Sequence, residues 1–201
     1  MLCRRELGLA KGPVQREPSD AAAPLHSSRP TAGETRAVQQ QLFFVARQQV
    51  KGATEWIPLS PEDVLHTGDR YQFEVQTVRP AYVYVARTSA EGVPDLLTPR
   101  PGTSPVRTAA PAPLRLPASK EVFLLDGRVG DESIVCIAAD QELPEVTLSQ
   151  YLGSTPPAEQ GNGREIPPAL TDKNRGKTVY YLGKVLASGV LGLRFSFQRQ
   201  K

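Results

Sequence analysis

Reactive side chains are scarce in this chain: among 201 residues there are two cysteines, two histidines, one tryptophan and one methionine. A zinc site needs three or four ligands at tight spacing, and Cys3, His26, His66 and Cys136 are too scattered to supply one. A nucleophilic dyad would have to join Cys136 to His66, yet Cys136 lies in the apolar run "SIVCIAAD", where a buried thiol is inert. A Cys3–Cys136 disulfide is disfavoured too, because a thiol in a polar tail would have to reach a buried strand. No Gly-rich phosphate loop ending in Lys-Ser or Lys-Thr occurs, and "GNGRE" stands in a linker without the strand and helix that would give it meaning. These absences argue against an enzyme and leave no cofactor or metal to expect.

Long apolar runs are also missing. No stretch of 18 apolar residues exists to form a transmembrane helix, and "MLCRRELGLAKGPVQREP" lacks the apolar h-region of a secretory signal. The reading is compatible with a cytoplasmic or an envelope-associated protein. Charge of either sign is not in excess: 24 Lys and Arg face 21 Asp and Glu, for a net +3, so composition does not point to nucleic acid or to an anionic membrane. Gly and Pro are plentiful instead, at 16 and 19 residues, which places the excess in a few long loops.

Residues 1–37 are rich in Ala, Pro, Ser and Arg without apolar periodicity and read as a disordered tail or tether. A single β-rich domain is expected over 38–200. Its first strand lies in "QQQLFFVARQQV", a second extended piece surrounds Trp56-Ile57, and "SPED" reads as a helical turn with Ser60 as cap and Pro61 in the first position. After the Gly68-Asp69 turn, Tyr71, Phe73, Val75 and Thr77 share one face of a strand while Gln72, Glu74 and Gln76 share the other. "AYVYVART", beyond Arg79-Pro80, is apolar on both faces and so is expected to be covered on both. Tyr71, Phe73 and Tyr84 are assigned to one core, with Tyr82 presenting its hydroxyl at a rim. A nucleic-acid stacking platform would need basic residues interleaved with these rings, and only Arg79 and Arg87 flank them.

Pro99 to Pro117 is the most unusual segment, with six prolines, three arginines and no acid. It reads as a structureless loop joining strands, one that could be shortened without harm to folding. Its prolines limit the conformational freedom lost on docking, and Arg100, Arg107 and Arg115 offer planar donors to carboxylates or phosphates. These arginines, with Tyr82, are the candidate partner-binding residues, and a protein partner is expected. Farther on, "EVFLL" and "ESIVCIAAD" read as strands, and Asp126, Asp131 and Glu132 read as solvated turn acids without the spacing of a calcium loop. "LPEVTLSQYLG" predicts a short helix from Pro144 to Gly153 that buries Val146 or Leu148 with Tyr151 and Leu152. A Gly- and Pro-rich linker spans 154–177. The block 178–199 predicts a hairpin turning at Ser188-Gly189, in which Leu191, Leu193, Phe195 and Phe197 alternate with polar residues. Seven Lys or Arg between 172 and 201 against Asp172 alone suggest either a surface for an acidic partner or a solvated strand face.

In order along the chain, "LHTGDRYQFEVQTVRPAYVYVARTSAEGVPDLLTP", Leu116-Pro117, "VFLLD" and "GDESIVCIAAD" resemble the bacterial family called domain of unknown function 4384, over about residues 59–142. The shared features are a Gly-Asp turn before a strand, a Pro or small residue before a Tyr-rich strand, a Leu-Pro step, and a Gly-x-Glu turn before an apolar strand. The resemblance implies a β-sandwich-like fold and an accessory recognition role beside peptidases, kinases or envelope proteins. It transfers no catalytic residue, and the 99–117 loop departs from the shorter family pattern. The expected object is therefore mainly β: a β-sandwich-like domain with one short helix and long Pro-rich loops. Its expected role is a non-catalytic binding or accessory module of a bacterial envelope or signalling assembly. The alternative is a structural subunit pairing through exposed strands or the C-terminal hairpin, and an unrecognised hydrolase comes third.

Overall fold

Alternation of apolar and polar residues in the strands produces two sheets that share one interior. The computed structural model describes residues 40–88, 92, 94–105, 107–118, 121–161 and 179–201. The expected tail 1–37 and most of the 154–177 linker lie outside these residues.

The strands are β1 (Leu42–Gln49), β2 (Ile57–Pro58), β3 (Val64–His66), β4 (Arg70–Thr77), β5 (Tyr82–Thr88), β6 (Pro94–Thr98), β7 (Leu114–Leu116), β8 (Phe123–Leu124), β9 (Gly130–Ala139), β10 (Glu159–Gln160), β11 (Tyr181–Leu182), β12 (Lys184–Ala187) and β13 (Val190–Gln200). One helix, α1 (Glu145–Ser154), lies between β9 and β10. The first sheet runs β10-β11-β1-β4-β7, with β2 on β1 and β8 on β4. The second runs β12-β13-β9-β5-β6, with β3 pairing β13 in parallel. Among the described residues the protein is thus mainly β, with two packed sheets and one short helix.

Aromatic rings fill the interior. Phe44 of β1 meets Phe73 of β4 at 5.5 Å and Phe195 of β13 at 5.2 Å, while Tyr71 meets Phe197 at 5.4 Å. Each such pair is worth about 0.5–1.5 kcal/mol beyond the area it buries. β5 is covered on both faces, by different layers. Ala81, Val83 and Val85 enter the interior, whereas Tyr84 packs outward with Val135, Ile137 and Leu148 beneath α1. Tyr71 and Phe73 therefore do not share a core with Tyr84, because Tyr84 lies on the opposite face of β5 from Val83 and Val85, which do enter their interior.

α1 buries Leu148, while Val146 points away and is 73% exposed. "SPED" is a turn rather than a helical start. The Asp63 carboxylate accepts the Ser60 N–H at 2.7 Å, so the side chain caps backwards instead of Ser60 capping forwards. The Pro99 to Pro117 segment is not structureless. Its distal end forms β7, which pairs with β4 and buries Leu116. Thr108 also donates its N–H and hydroxyl to the Ala81 carbonyl, at 2.8 and 3.0 Å.

The C-terminal hairpin departs from the simple form expected. β12 and β13 turn at Ser188-Gly189, but Tyr181 and Leu182 pair instead with Phe44 and Phe43 of the first sheet. The chain changes sheets at Gly183, where an added Cβ would stand 2.8 Å from a Leu42 methyl group. β13 itself is interior to the second sheet, in register with β9 from Val190↔Ala139 to Arg199↔Gly130.

Candidate functional site

The four candidate partner-binding residues do not form one cluster. Arg107 faces Tyr82 through an isolated antiparallel bridge, and Tyr82 is half-buried at the start of β5. Arg100 is exposed in a turn whose carbonyl accepts the Thr103 N–H at 2.9 Å. Arg115 lies on the other sheet, in β7, opposite Glu74, and its Nε is 3.1 Å from the Glu74 carboxylate. The segment contains no acid of its own, yet the neighbouring strand neutralises one of its three arginines. Arg79, close to the same end of β5, is engaged with Asp140 at 3.6 Å. Among the described residues Arg100 and Arg107 carry no ion pair.

A buried polar network occupies the opposite end of the sandwich. Glu132 was expected to be a solvated turn acid and is instead 1% exposed, because its position in β9 shares the inward face of Ile134, Cys136 and Ala138. Its Oε1 accepts the Tyr71 hydroxyl at 2.7 Å, and its Oε2 accepts Nη1 of Arg199 at 2.7 Å. Arg199 also donates to the Asp126 carboxylate, and its Nε is buried without a partner. Burial, and then the Glu132 charge, push the Tyr71 hydroxyl well above the usual tyrosine range, with Arg87 acting in the opposite direction. The phenol therefore stays protonated and acts as a donor. Sequence reading missed this pair although its signal was present: Phe195 and Phe197 put Arg199 on the inward face, just as Ile134 puts Glu132 there.

The basic C-terminal surface is largely consumed internally. Arg194 donates to the Leu152 and Gly153 carbonyls at the end of α1, at 2.9 and 3.2 Å, and Lys184 pairs with Glu159 at 2.6 Å. Lys173, Arg175 and Lys177 lie outside the described residues. The Cys136–His66 dyad is not assembled. Cys136 is sealed in the interior opposite Leu193, and burial pushes its thiol upward. His66 pairs with Gln200, roughly 23 Å farther along β13 at the usual strand rise. Among the described residues no group of three or more His, Cys, Asp or Glu is placed to hold a metal ion, and no helix is long and apolar enough to cross a membrane.

On the outer face of the second sheet, α1 covers only part of the strands. Beyond its end lies a groove of about 390 Å³ lined by Pro61, Thr88, Asp131, Ser133, Arg194, Ser196 and Gln198, with Glu132 and Phe197 below.

One family model matches part of the chain, the stretch from β3 to just beyond the end of β9. Residues 64–142 match the model of the domain of unknown function DUF4384. No curated protein and no solved structure matches the chain. The DUF4384 segment holds β3 to β9, but in this protein it does not complete either sheet. β1 lies between β4 and β11, and β13 lies between β9 and β12, so strands from both sides of the matched segment supply Phe44, Phe195 and Phe197 to the interior.

Proposed function

We propose that this protein is a non-catalytic binding module, an accessory component of a bacterial envelope or signalling assembly. In this reading it meets a protein partner where the 99–113 segment crosses the start of β5. The observation that carries the reading is the Tyr82–Arg107 bridge: it holds a cation-bearing segment against the sheet while leaving Arg107 exposed. The Thr108 N–H, which donates to the Ala81 carbonyl, and the Gln76 side-chain amide, which donates to the Pro111 carbonyl, fix the segment before any partner arrives. Such pre-ordering lowers the entropy lost on docking. Arg107 is then free to take a carboxylate of the partner, with the half-buried Tyr82 ring beside it, and Arg100 stands exposed on the same segment for a second.

Two features weigh against the other readings. The outermost strands of the sheets are short, β7 having three residues and β12 four, and offer little backbone for strand addition. The only thiol among the described residues is sealed in the interior, which removes the obvious nucleophile for a hydrolase.

The test is capture from an extract of the source organism with the full chain immobilised. The Arg100→Ser/Arg107→Ser double variant should lose the partner, whereas Arg115→Ser, which alters an arginine engaged with Glu74, should retain it. The same proteins captured by the double variant would contradict the reading.

A further inference from the structure

We infer that the groove on the outer face of the second sheet is a binding site for a neutral, polyhydroxylated ligand, a short saccharide. The site is independent of the Tyr82–Arg107 surface, since Tyr82 begins β5 and Thr88 ends it.

Strand register builds the floor. Thr88 pairs with Ser133, and Ser133 pairs with Ser196, so three hydroxyl-bearing residues stand in one row across β5, β9 and β13. One row along, Asp131 pairs with Gln198, and on the other side Arg194 pairs with Val135. Six polar residues on three central strands are unusual where the same face, a few residues away, is apolar beneath α1. Among the described residues the side chains of Thr88, Ser133, Ser196, Asp131 and Gln198 make no hydrogen bond or ion pair.

The walls are fixed. Pro61 sits in the turn held by the Asp63 carboxylate, which accepts the Ser60 N–H at 2.7 Å and the Gln48 amide at 3.0 Å. Arg194 is held at the other end by the helix carbonyls, a favourable place for a cation.

Ligand class follows from this chemistry. Serine and threonine hydroxyls both donate and accept, Gln198 offers both functions, Asp131 accepts and Arg194 donates, a set that matches sugar hydroxyls with their paired donor and acceptor character. Asp131 and Arg194 have opposite charge, so neither an anion nor a cation is favoured over the whole groove. Pro61 adds an apolar edge for a sugar's C–H face. The volume lies within the range of about 300–1,000 Å³ typical of small-ligand sites.

The experiment is an NMR titration of the isotope-labelled full chain with maltose, cellobiose and chitobiose, and separately with inorganic phosphate. At least one disaccharide should produce saturable shifts at the Thr88, Ser133 and Ser196 amides. Ser196→Val, which suits a strand and fills the groove, should weaken that binding roughly tenfold or more. Asp131→Asn, an exposed and nearly isosteric change, should weaken it as well and serves if the valine variant fails to fold. Absence of saturable shifts with all three sugars, shifts with phosphate alone, or undiminished binding by the folded variants would overturn the assignment.

Discussion

Tyr71 of the first sheet donates its hydroxyl to Glu132 of the second at 2.7 Å, a polar tie across an aromatic interior. Arg199 completes the tie from β13. A buried carboxylate is tolerated only while its donors remain, so the three residues should behave as a unit. Tyr71→Phe should cost about 1–3 kcal/mol by leaving Oε1 without a donor. Arg199→Met should cost about 3–5 kcal/mol by leaving the charge unpaired, whereas combining it with Glu132→Leu should recover much of that loss. Urea unfolding of the single and double variants measures this, and additive effects would show the tie to be energetically idle.

Removing the chain after Gly176 should abolish cooperative unfolding rather than lower the midpoint. β13 is flanked by β9 along ten register pairs and carries Leu193, Phe195 and Phe197 into the interior. Its loss would open the second sheet and uncover Phe44 and Tyr71. The DUF4384 segment 64–142 expressed alone should fail in the same way. A sharp calorimetric transition from either fragment would place the fold boundary elsewhere.

What could be read from the sequence was local and periodic. The alternation in Tyr71–Thr77 and Leu191–Phe197 assigned inward faces correctly, and Pro144 marked the start of α1. Partnership between distant strands was not legible. Nothing in "TVYYLGKVLA" announces that Tyr181 joins the first sheet and Val185 the second, because the change at Gly183 depends on Leu42 lying against it. Likewise "PLRLP" reads as loop because prolines flank it, yet the β4 backbone gives Leu114–Leu116 its ladder. For polar residues strand parity outweighs residue type: Glu132 and Arg199 are charged, yet their positions lie on the apolar face. In the groove, Thr88, Ser133 and Ser196 are far apart in sequence, and only the register brings them together.

Loop replacement should separate two roles of the Pro-rich segment. Substituting residues 99–112 with a short Gly/Ser linker keeps β7, and stability should fall by little more than the lost Thr108 and Gln76 hydrogen bonds, about 1–3 kcal/mol. Extending the replacement through Pro117 removes Leu116 and the β4 edge pairing, and should add about 2–4 kcal/mol, in the range of large-to-small core changes. Equal melting temperatures for the two replacements would deny β7 a part in the core.

Asp126 gives the network a pH signature. The Arg128 N–H, and then the Arg199 guanidinium, hold its carboxyl below the usual range. A carboxylate with a depressed pKa in the folded state contributes stability above its unfolded pKa of about 3.9, and that contribution is lost as pH falls through the folded value. Asp126→Asn should therefore be less stable than the parent at neutral pH, with the difference shrinking below about pH 4. Urea midpoints that run parallel through the acid range would contradict this role.

The claim that a partner docks on the segment held against Tyr82 is tested most directly by photo-crosslinking in the native cell. A benzophenone amino acid replaces exposed Ala109, and in a separate control it replaces exposed Gln150 on α1. The account predicts a discrete protein adduct from position 109, absent from position 150, and lost when Arg100 and Arg107 are both changed to Ser. No adduct at 109, or one that persists unchanged without the two arginines, would contradict it.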